Sequence, residues 1–508
     1  MTAVRPDTGT PPSVVSSADG PVTVAHVAES DLETVTAELV RFPGARLADL
    51  FAAGTETVML HSVWALDHDQ RYLIIETPVS GPRYPALSDI APAAFVEECE
   101  IYEQFGIRPS GGKPLNRIAT PPQPEIDLPR LGRAPAEPPE DVHAPHVVGG
   151  HAFEFPFGPV RQVGVESLYY GLVTSGEEIV DLYLMTWHKH RGIEWRAKGQ
   201  TPQQALFAVE RAEGLGAIGN GWAFAAAAEA ALGIKPAPAA MASRGIALEL
   251  ERLYNHAAAI AALCQACGLA VGRAAAEIAL ERLLRLNAAV FGHRYLFNVL
   301  AIGGVRVTPD TAALRAGLPG AYGELHRAAG ALLETNSFLD RLEATGIVTV
   351  QEAGRLGLVG PVARASGVAA DTRADHPYGG YAAHPPAVAT QPAGDALSRL
   401  RVLLSEATES VRLIDALADG AGRGLAAPPG QVQSPSGRHG LGWAESPRGE
   451  SLAWVELDAS GRISRLRLRP AAVRNWRSFD DACRSQNVFT DIPIIEASFW
   501  LTVAGTAR

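Results

Sequence analysis

A dense run of prolines between Pro121 and Pro145 is the feature that most constrains how this chain can fold. The run also carries several charges, and a segment of this composition cannot build a hydrophobic core. We therefore expect a linker, or a strap along another surface, at residues 121–152. The length of 508 residues agrees with two or more domains, because single cores stop growing well below this size.

Composition and charge exclude several classes of protein. Four cysteines are too few for a disulfide framework, and the N-terminus lacks the basic-then-apolar order of a secretion signal. A formal charge of −11 without a basic block does not suit a nucleic-acid binder. Both the cysteine count and the missing secretion signal favour a reducing cytoplasmic location. The apolar runs are Ala-rich and broken by charges, so we expect no direct membrane span.

The N-terminal part of the chain has the pattern of a small α+β domain. Residues 1–22 are rich in Thr, Ser, Pro and Asp without periodicity, which predicts a disordered arm. Residues 23–120 then alternate between helical and strand-like patterns. The predicted elements are a helix at 30–41, strands at 57–63 and 71–76, and a helix at 92–105.

Residues 153–508 predict a larger, mainly helical domain with β-hairpins at both ends. The first hairpin covers residues 167–184 and the last covers 452–468, and both show the alternation of half-buried strands. Apolar residues at helical spacing lie between them. The predicted helices span 204–232 with an internal break, 242–269, 273–289, 309–315, 322–345 and 395–418. The fold class is therefore α+β.

The stretch Gly214-x-Gly216-x-x-Gly219 has the spacing of a dinucleotide-binding loop. That fingerprint requires a preceding β-strand, yet residues 201–211 predict a helix that begins at Pro202. The acidic residue downstream, Glu229, falls inside an Ala-rich helix rather than after a second strand. The missing context argues against a nucleotide site.

Other chemically active residues have ordinary explanations. Cys264 and Cys267 have redox or zinc-ligand spacing, but they occupy an apolar helix face without a second pair, which favours packing. Three histidines beside an aspartate could form a metal site within the linker, although linker histidines more often bind nothing. They are His143, His146 and His151, beside Asp141.

Two groups of charged residues leave alternatives open. His188, His190 and Arg191 precede a helix next to Glu194, and they form either a solvated strand end or part of a site. A second group recurs at i, i+3 and i+4 spacing along one helix, as a surface ion-pair network or a buried polar interface. Its members are Glu249, Glu251, Arg252, Asn255 and His256.

Six motifs occur in a characteristic order and spacing along the chain: His190–Glu194, Val209–Arg211, Leu248–His256, Gly360–Gly367, Asp375–Tyr378 and Glu445–Glu450. Together they resemble the large subunit of membrane-bound nickel-iron hydrogenases of the formate hydrogenlyase type. The same family includes the quinone-site subunit of complex I, and residues 98–107 resemble the smaller complex I subunit that is fused ahead of it in some members. The resemblance covers about residues 25–120 and 153–508.

The resemblance implies that the nickel ligands are missing. Hydrogenases of this family hold the metal pair through four cysteines, and the corresponding positions here are Glu213, Gly216, Thr502 and Gly505. Asn220 stands where a histidine is expected. Because soft thiolates hold such a centre, we expect no metal here and no hydrogen activation.

The complex I branch of the resemblance implies a quinone near the vacated site, between a loop histidine and a tyrosine. Here Arg161 replaces the histidine and Gly214 replaces the tyrosine, so a quinone stays an open candidate. Catalytic residues are not assigned. The candidate pocket consists of Arg161, Glu194, Glu213, Gly216, Asn220, Thr502 and Gly505.

The resemblance also implies partners. We expect a non-metal subunit of a complex I-like or formate hydrogenlyase-like oxidoreductase, peripheral on the inner face of the cytoplasmic membrane. It would bind a small iron-sulfur subunit that carries the cluster, together with antiporter-like membrane subunits, and couple electron transfer to quinone or proton movement. The alternatives are a structural assembly platform without chemistry and a soluble NAD-dependent enzyme.

Overall fold

The computed structural model describes most of the chain, and the described residues fall into two compact units. The first unit comprises residues 1–141 with 355–357, and the second comprises 142–354 with 358–508. The boundary at residue 141 lies inside the predicted linker. The described residues are 16–17, 20–54, 57–111, 114–118, 131–132, 135, 152–161, 166–186, 188, 190–422, 438–484 and 486–508.

Some predictions fall outside this range. Most of the predicted arm (1–22) and of the predicted linker (121–152) is not described, and neither are His143, His146, His151 and Asp141. The disordered arm, the linker and its metal site therefore stay predictions.

The first unit is built on a five-stranded mixed sheet in the order β1-β2-β5-β4-β3. Strand β2 runs parallel to β5, and the other neighbours pair antiparallel. Apolar side chains of the sheet and of both helices form one core. The elements are β1 (Ser16–Ser17), β2 (Val22–His26), α1 (Leu32–Arg41), β3 (Ala45–Ala53), β4 (Val58–Leu66), β5 (Arg71–Val79), β6 (Arg83–Pro85), α2 (Phe95–Phe105) and β7 (Arg108–Ser110).

The second unit begins with a three-stranded antiparallel sheet, in which β9 is central, and continues into a helical core. The elements up to the middle of the unit are β8 (Ala152–Phe157), β9 (Tyr169–Ser175), β10 (Glu178–Met185), α3 (Ile193–Ala197), α4 (Pro202–Val209), α5 (Ala217–Leu232), α6 (Pro238–Ala266), α7 (Ala270–Phe291), β11 (Leu300–Ala301) and β12 (Gly304–Val305).

More helices and a second three-stranded antiparallel sheet complete this unit. The remaining elements are α8 (Thr311–Leu333), α9 (Asn336–Leu342), α10 (Val350–Leu356), α11 (Gly360–Ala365), α12 (Thr372–Asp375), α13 (Ala396–Ala418), β13 (Arg438–Ser446), β14 (Gly449–Leu457), β15 (Ile463–Arg469), α14 (Ala471–Asn475), α15 (Phe479–Arg484) and α16 (Ile492–Phe499). The predicted α+β class, with a helical centre and β-structure at both ends, is confirmed.

Two glycines bring helix α5 directly onto strand β13. A Cβ atom on Gly440 would lie 2.2 Å from the carbonyl oxygen of Ala227, and one on Gly442 would lie 2.2 Å from that of Ala223. The helix contributes alanines to this contact, so backbone approaches backbone. This packing fixes helix α5 on strand β13, and the candidate site begins at the N-terminal end of that helix.

The structure corrects three details of the sequence analysis. The helices predicted at 309–315 and 322–345 are one helix, α8, followed by the short α9, because Leu314, Leu318 and Leu325 keep one buried face across Pro319. The sequence pattern predicts Cys264 and Cys267 in the middle of a helix, but they lie at the C-terminal end of α6. The pattern also groups Phe207 with Ala205, Leu206 and Val209 on one apolar side of its helix, but Phe207 is 58% exposed.

In the part of the chain that is described, no helix is both long enough and apolar enough to cross a bilayer.

Candidate functional site

The loop that carries the glycine motif connects α4 to α5. Helix α4 starts at a capping box, in which the Thr201 hydroxyl accepts the backbone N–H of Gln204 at 3.3 Å. The loop then turns sharply at Leu215, whose φ of 61° is left-handed. The turn places Glu213 in the interior and leaves Gly214 at the surface. The context is helix–loop–helix, which differs from the strand–loop–helix of a dinucleotide site.

Glu213 is the centre of a buried hydrogen-bonded group. It is 2% exposed, and it accepts hydrogen bonds from Asn220 Nδ2 at 2.7 Å and from Thr502 Oγ1 at 2.5 Å. The backbone N–H of Gly505 donates to the same threonine hydroxyl at 3.1 Å. Residues that are 289 positions apart in sequence therefore bind one another directly.

Gly505 leaves the space that the Glu213 side chain fills, and Gly216 lies beside that side chain. A Cβ atom on Gly505 would lie 2.6 Å from Glu213 Oε1, and one on Gly216 would lie 3.5 Å from Oε2. We call Glu213, Gly216, Asn220, Thr502 and Gly505 the closed site. Five of the seven residues proposed for the pocket are thus brought together.

The donor set of the closed site does not fit a nickel-iron centre. Such a centre needs soft thiolates, and the side chains here are a carboxylate, an amide and a hydroxyl that already bind one another. Restoring a side chain at Gly505 would require the carboxylate of Glu213 to move. Within the described residues, no group of three or more His, Cys, Asp or Glu side chains is arranged to hold a metal.

The backbone amides of the glycine motif are occupied by a residue of the protein itself. The Glu251 carboxylate, fully buried on α6, accepts the N–H groups of Ile218 at 2.7 Å and Gly219 at 2.9 Å. These amides form the N-terminus of α5, which is where a pyrophosphate would bind in a dinucleotide fold. Burial raises the pKa of Glu251 to about 7, although both backbone N–H groups act to lower it. The motif thus binds an internal carboxylate.

Arg161 is paired away from Glu213. Its guanidinium donates to both oxygens of Glu496, at 2.7 and 3.0 Å, and to the carbonyl oxygen of Glu166 at 2.8 Å. It also lies over the Tyr170 ring, 5.3 Å from the centroid. Burial alone would lower the pKa of Arg161, but the bond to Glu496 raises it above its usual value. This residue therefore stays charged and fixed.

Glu194 likewise binds elsewhere. It is 4% exposed and accepts Arg465 Nη1 at 2.8 Å, Arg508 Nε at 3.0 Å and the backbone N–H of Leu468 at 2.8 Å. These bonds tie helix α3 to strand β15 and to the C-terminal segment. Glu194 thus lies outside the closed site and holds the segment that contains Thr502 and Gly505.

Three further residues support the closed site, and the sequence analysis did not assign them to it. Glu166 accepts the backbone N–H groups of Val503 at 2.5 Å and Ala504 at 3.2 Å. Arg191 donates to the carbonyl oxygens of Ala212 and Ala504, on both sides of the site, and burial lowers its pKa. Arg448 donates to the carbonyl oxygens of Trp500 at 2.7 Å and Gly214 at 3.3 Å. Arg191 and Arg448 lie within recognised motifs, whereas nothing in the sequence singles out Glu166.

The structure also shows the surroundings of the polar residues on α6 and of Cys264. The polar stripe on α6 is a buried interface, since Glu249, Glu251, Arg252, Asn255 and His256 are all 0% exposed. Cys264 is buried, and desolvation raises the pKa of its thiol to about 12, which agrees with a packing role.

Two subunit families match this chain. The family described as the respiratory-chain NADH dehydrogenase 49 kDa subunit matches residues 278–435, and the one described as its 30 kDa subunit matches residues 25–130. The closed site lies outside both ranges.

Individual proteins match over longer stretches. Formate hydrogenlyase subunit 5 of Escherichia coli is 28% identical over 84% of this chain and 77% of its own length. An NADH-quinone oxidoreductase subunit of Herpetosiphon aurantiacus is 30% identical over 66% of this chain and 94% of its own length.

One solved structure is similar to this chain in its fold. It is a chain of the membrane-bound sulfane sulfur reductase, described as an archaeal respiratory membrane complex. It superposes with a TM-score of 0.65, over 70% of this chain and 99% of its own, at 22% identity.

Proposed function

Since the chain belongs to the family of the 49 kDa subunit of respiratory-chain NADH dehydrogenase, we propose that it is a non-metal, hydrogenase-like subunit of a membrane-associated oxidoreductase complex. In this proposal it docks on a small iron-sulfur subunit and on antiporter-like membrane subunits, at the inner face of the cytoplasmic membrane. It couples electron arrival at the iron-sulfur partner to quinone or proton movement.

The closed site is the single observation that carries this proposal. The four positions that the resemblance assigns to nickel ligands converge in space, and there Glu213 and Thr502 bind each other while Asn220 completes the group. In this proposal the family architecture is kept, whereas a carboxylate, a hydroxyl and two glycines stand in place of the four sulfur ligands. Such a subunit responds to electron transfer through charge and hydrogen bonding instead of through a resident metal.

The relatives of this chain support the choice of complex. They include subunits of formate hydrogenlyase, of hydrogenase-4 and of NADH-quinone oxidoreductase, and a CO-induced hydrogenase. The quinone part of the proposal rests on the NADH-quinone oxidoreductase relatives. Because Arg161 is already bound to Glu496, a quinone carbonyl at this loop would have to compete with that ion pair.

Purification of the intact complex tests the proposal. A tag on this chain should retain a small iron-sulfur subunit and membrane subunits after mild detergent extraction, identified by mass spectrometry and by the cluster's electron paramagnetic resonance signal. Recovery of this chain alone from membranes, under conditions that keep other respiratory complexes intact, would contradict it. Stoichiometric nickel bound by this chain would overturn the non-metal assignment.

A structural platform is the second candidate, and a specific observation favours it. Both oxygens of Glu213 are satisfied by side chains of the protein, so the closed site needs no ligand to complete it. In this reading the fold is kept for its interfaces only.

Substitution of Glu213 separates the two candidates. Glu213→Gln keeps the size of the side chain and removes its charge, and Glu281→Gln is a matched control on an exposed helix face. Loss of electron transfer with intact assembly in Glu213→Gln, but not in the control, supports a working site. Unchanged electron transfer in an intact complex supports the platform.

A further inference from the structure

A buried cluster of charges includes the end of strand β13 and is separate from the closed site. Its eight members are each at most 4% exposed, and ion pairs or hydrogen bonds join them. They come from α6, from residues 364–373, from α13 and from β13. We call this group the buried charge cluster: Glu249, Arg252, His256, Arg364, Asp371, Arg373, Glu406 and Glu445.

Two carboxylates of the cluster are held firmly in the ionised form. Glu249 accepts Arg252 Nε at 3.1 Å and Arg373 Nη1 at 3.0 Å, together with the hydroxyls of Tyr381 at 2.6 Å and Ser410 at 2.7 Å. Burial would raise the pKa of Glu249, but the two guanidinium groups bring it to about 2. Asp371 binds Arg373 at 2.7 and 3.0 Å, and its pKa is also about 2 against the effect of burial.

The other two carboxylates share one guanidinium. Arg364 donates Nε to Glu406 at 2.8 Å and Nη1 to Glu445 at 2.9 Å. Glu406 has a second charged or titratable partner, His256 Nε2, at 2.9 Å, whereas the second oxygen of Glu445 accepts the backbone N–H of Thr372 at 3.2 Å. Glu445 is therefore the least stabilised anion of the four.

The charges of the cluster do not balance when all its carboxylates are ionised. Four carboxylates face three guanidinium groups, which leaves one negative charge without a positive partner in a fully buried place. An uncompensated charge in the interior is costly, and a buried group takes up a proton to avoid it. The imbalance therefore calls for one bound proton, on either His256 or Glu445.

Hydrogen bonding argues against His256 as the group that binds this proton. A charged His256 would carry an N–H on Nδ1, and this atom is buried without a partner among the described residues. A neutral His256 that donates from Nε2 to Glu406 leaves only an acceptor unpaired, and burial lowers its pKa accordingly. For Glu445, burial and the neighbouring Asp371 both raise the pKa.

We propose that the buried charge cluster is a proton-binding site, and that the Glu445 carboxyl holds its one proton at neutral pH. The charged groups that face Glu445 are Arg364, Arg252, Arg373 and Asp371, and the backbone N–H of Glu445 donates to the Tyr378 hydroxyl at 2.8 Å. Any change that adds a positive charge or removes a negative one in this group releases the proton.

The cluster adjoins the closed site through one strand residue. Arg252 donates to the carbonyl oxygen of Ser446 at 3.1 Å and to that of Glu445 at 2.7 Å. Gly219, in the first turn of α5, packs against the same Ser446, so closely that a Cβ atom would lie 2.6 Å from the serine Cβ. The proton-binding assignment does not depend on the proposed function. It does imply that Glu445 can bind or release its proton when the charge near the closed site changes.

Infrared spectroscopy of the full chain tests the proposal, because a protonated carboxyl absorbs apart from a carboxylate. The unmodified chain should show a protonated carboxyl band that persists at pH 8, and Glu445→Gln should remove one carboxyl equivalent from it. Glu281→Gln, at an exposed ion pair, should leave the band unchanged. A chain without any such band at pH 8, or a folded Glu445→Gln variant with the full band, would overturn the proposal.

A second variant tests the charge balance while it keeps Glu445. Asp371→Asn leaves three carboxylates against three guanidinium groups, so Glu445 should ionise and one carboxyl equivalent should be lost from the band. Persistence of the Glu445 band in folded Asp371→Asn would show that the charge imbalance does not determine the proton, and would overturn the proposal. If neither variant folds, absence of the band from the unmodified chain at pH 8 still overturns the proposal.

Discussion

Glu213 and Thr502, which are 289 positions apart in the sequence, form a buried hydrogen bond of 2.5 Å. The bond joins the loop before α5 to the C-terminal segment, which Glu166, Arg191 and Glu194 hold from outside. The hydrogen bond is thus a direct link between two segments that lie far apart in the sequence.

Gly505→Ala should destabilise the protein. The new Cβ atom would lie 2.6 Å from Glu213 Oε1 and 3.0 Å from Ala472 Cβ, so the carboxylate and the helix beside it must shift. Overpacking of this kind costs about 1–3 kcal/mol in the free energy of unfolding, which denaturant titration measures. Gly214→Ala is the matched control in the same loop, since nothing lies within 4 Å of its Cβ. Equal effects of the two substitutions would contradict the tight packing of the closed site.

Glu251 should make stability depend on pH. Its folded pKa of about 7 lies above the ordinary 4.5, so its contribution to stability is fully present below pH 4.5 and is lost as pH rises through 7. Glu251→Gln should therefore flatten the fall in the free energy of unfolding between about pH 5 and 8, by roughly 3 kcal/mol. Thermal unfolding at several pH values measures this change. Glu281→Gln should keep the slope of the unmodified chain, and an unchanged slope in Glu251→Gln would refute the assignment.

The helical part of the fold could be predicted because its signals are local. Helices α5, α6, α7 and α13 were expected near their observed bounds, since apolar residues recur every three or four positions. Strand β3 was missed because Leu47–Ala53 is buried on both faces and shows no alternation. Strand β13 was missed because its glycines, Gly440 and Gly442, suggest turns, whereas they serve the approach of α5.

The closed site could be predicted only through the family resemblance. Periodicity and spacing do not indicate that Glu213 meets Thr502, because 289 residues separate them. Arg161 and Glu194 were predicted to line the pocket, but the ion pairs that engage them depend on distant residues such as Glu496 and Arg508. The same limit applies to Glu251. Its spacing on α6 agrees equally with a position on the surface and with a position in the interior.

The isolated chain should not bind NADH saturably. The amides of Ile218 and Gly219, which would receive the pyrophosphate, already bind Glu251 in the interior. A dinucleotide would have to displace a buried carboxylate and would bring more negative charge beside it. Titration of NADH fluorescence should therefore give a linear, unsaturated response, identical in Gly214→Ala. Saturable binding that Glu251→Gln strengthens would show instead that the helix terminus is accessible.

Glu194→Ala should lower the stability of the protein much more than removal of a surface carboxylate does. Glu194 is the buried partner of Arg465 and Arg508, and its loss leaves two guanidinium groups desolvated without their anion. Breaking a buried pair in this way costs about 3–5 kcal/mol, whereas Glu281→Ala at a solvent-screened pair should have a far smaller effect. Denaturant midpoints of both variants provide the comparison. If Glu194 instead acts as a pocket residue, Glu194→Ala will retain the stability of the unmodified chain and lose only electron transfer in the complex.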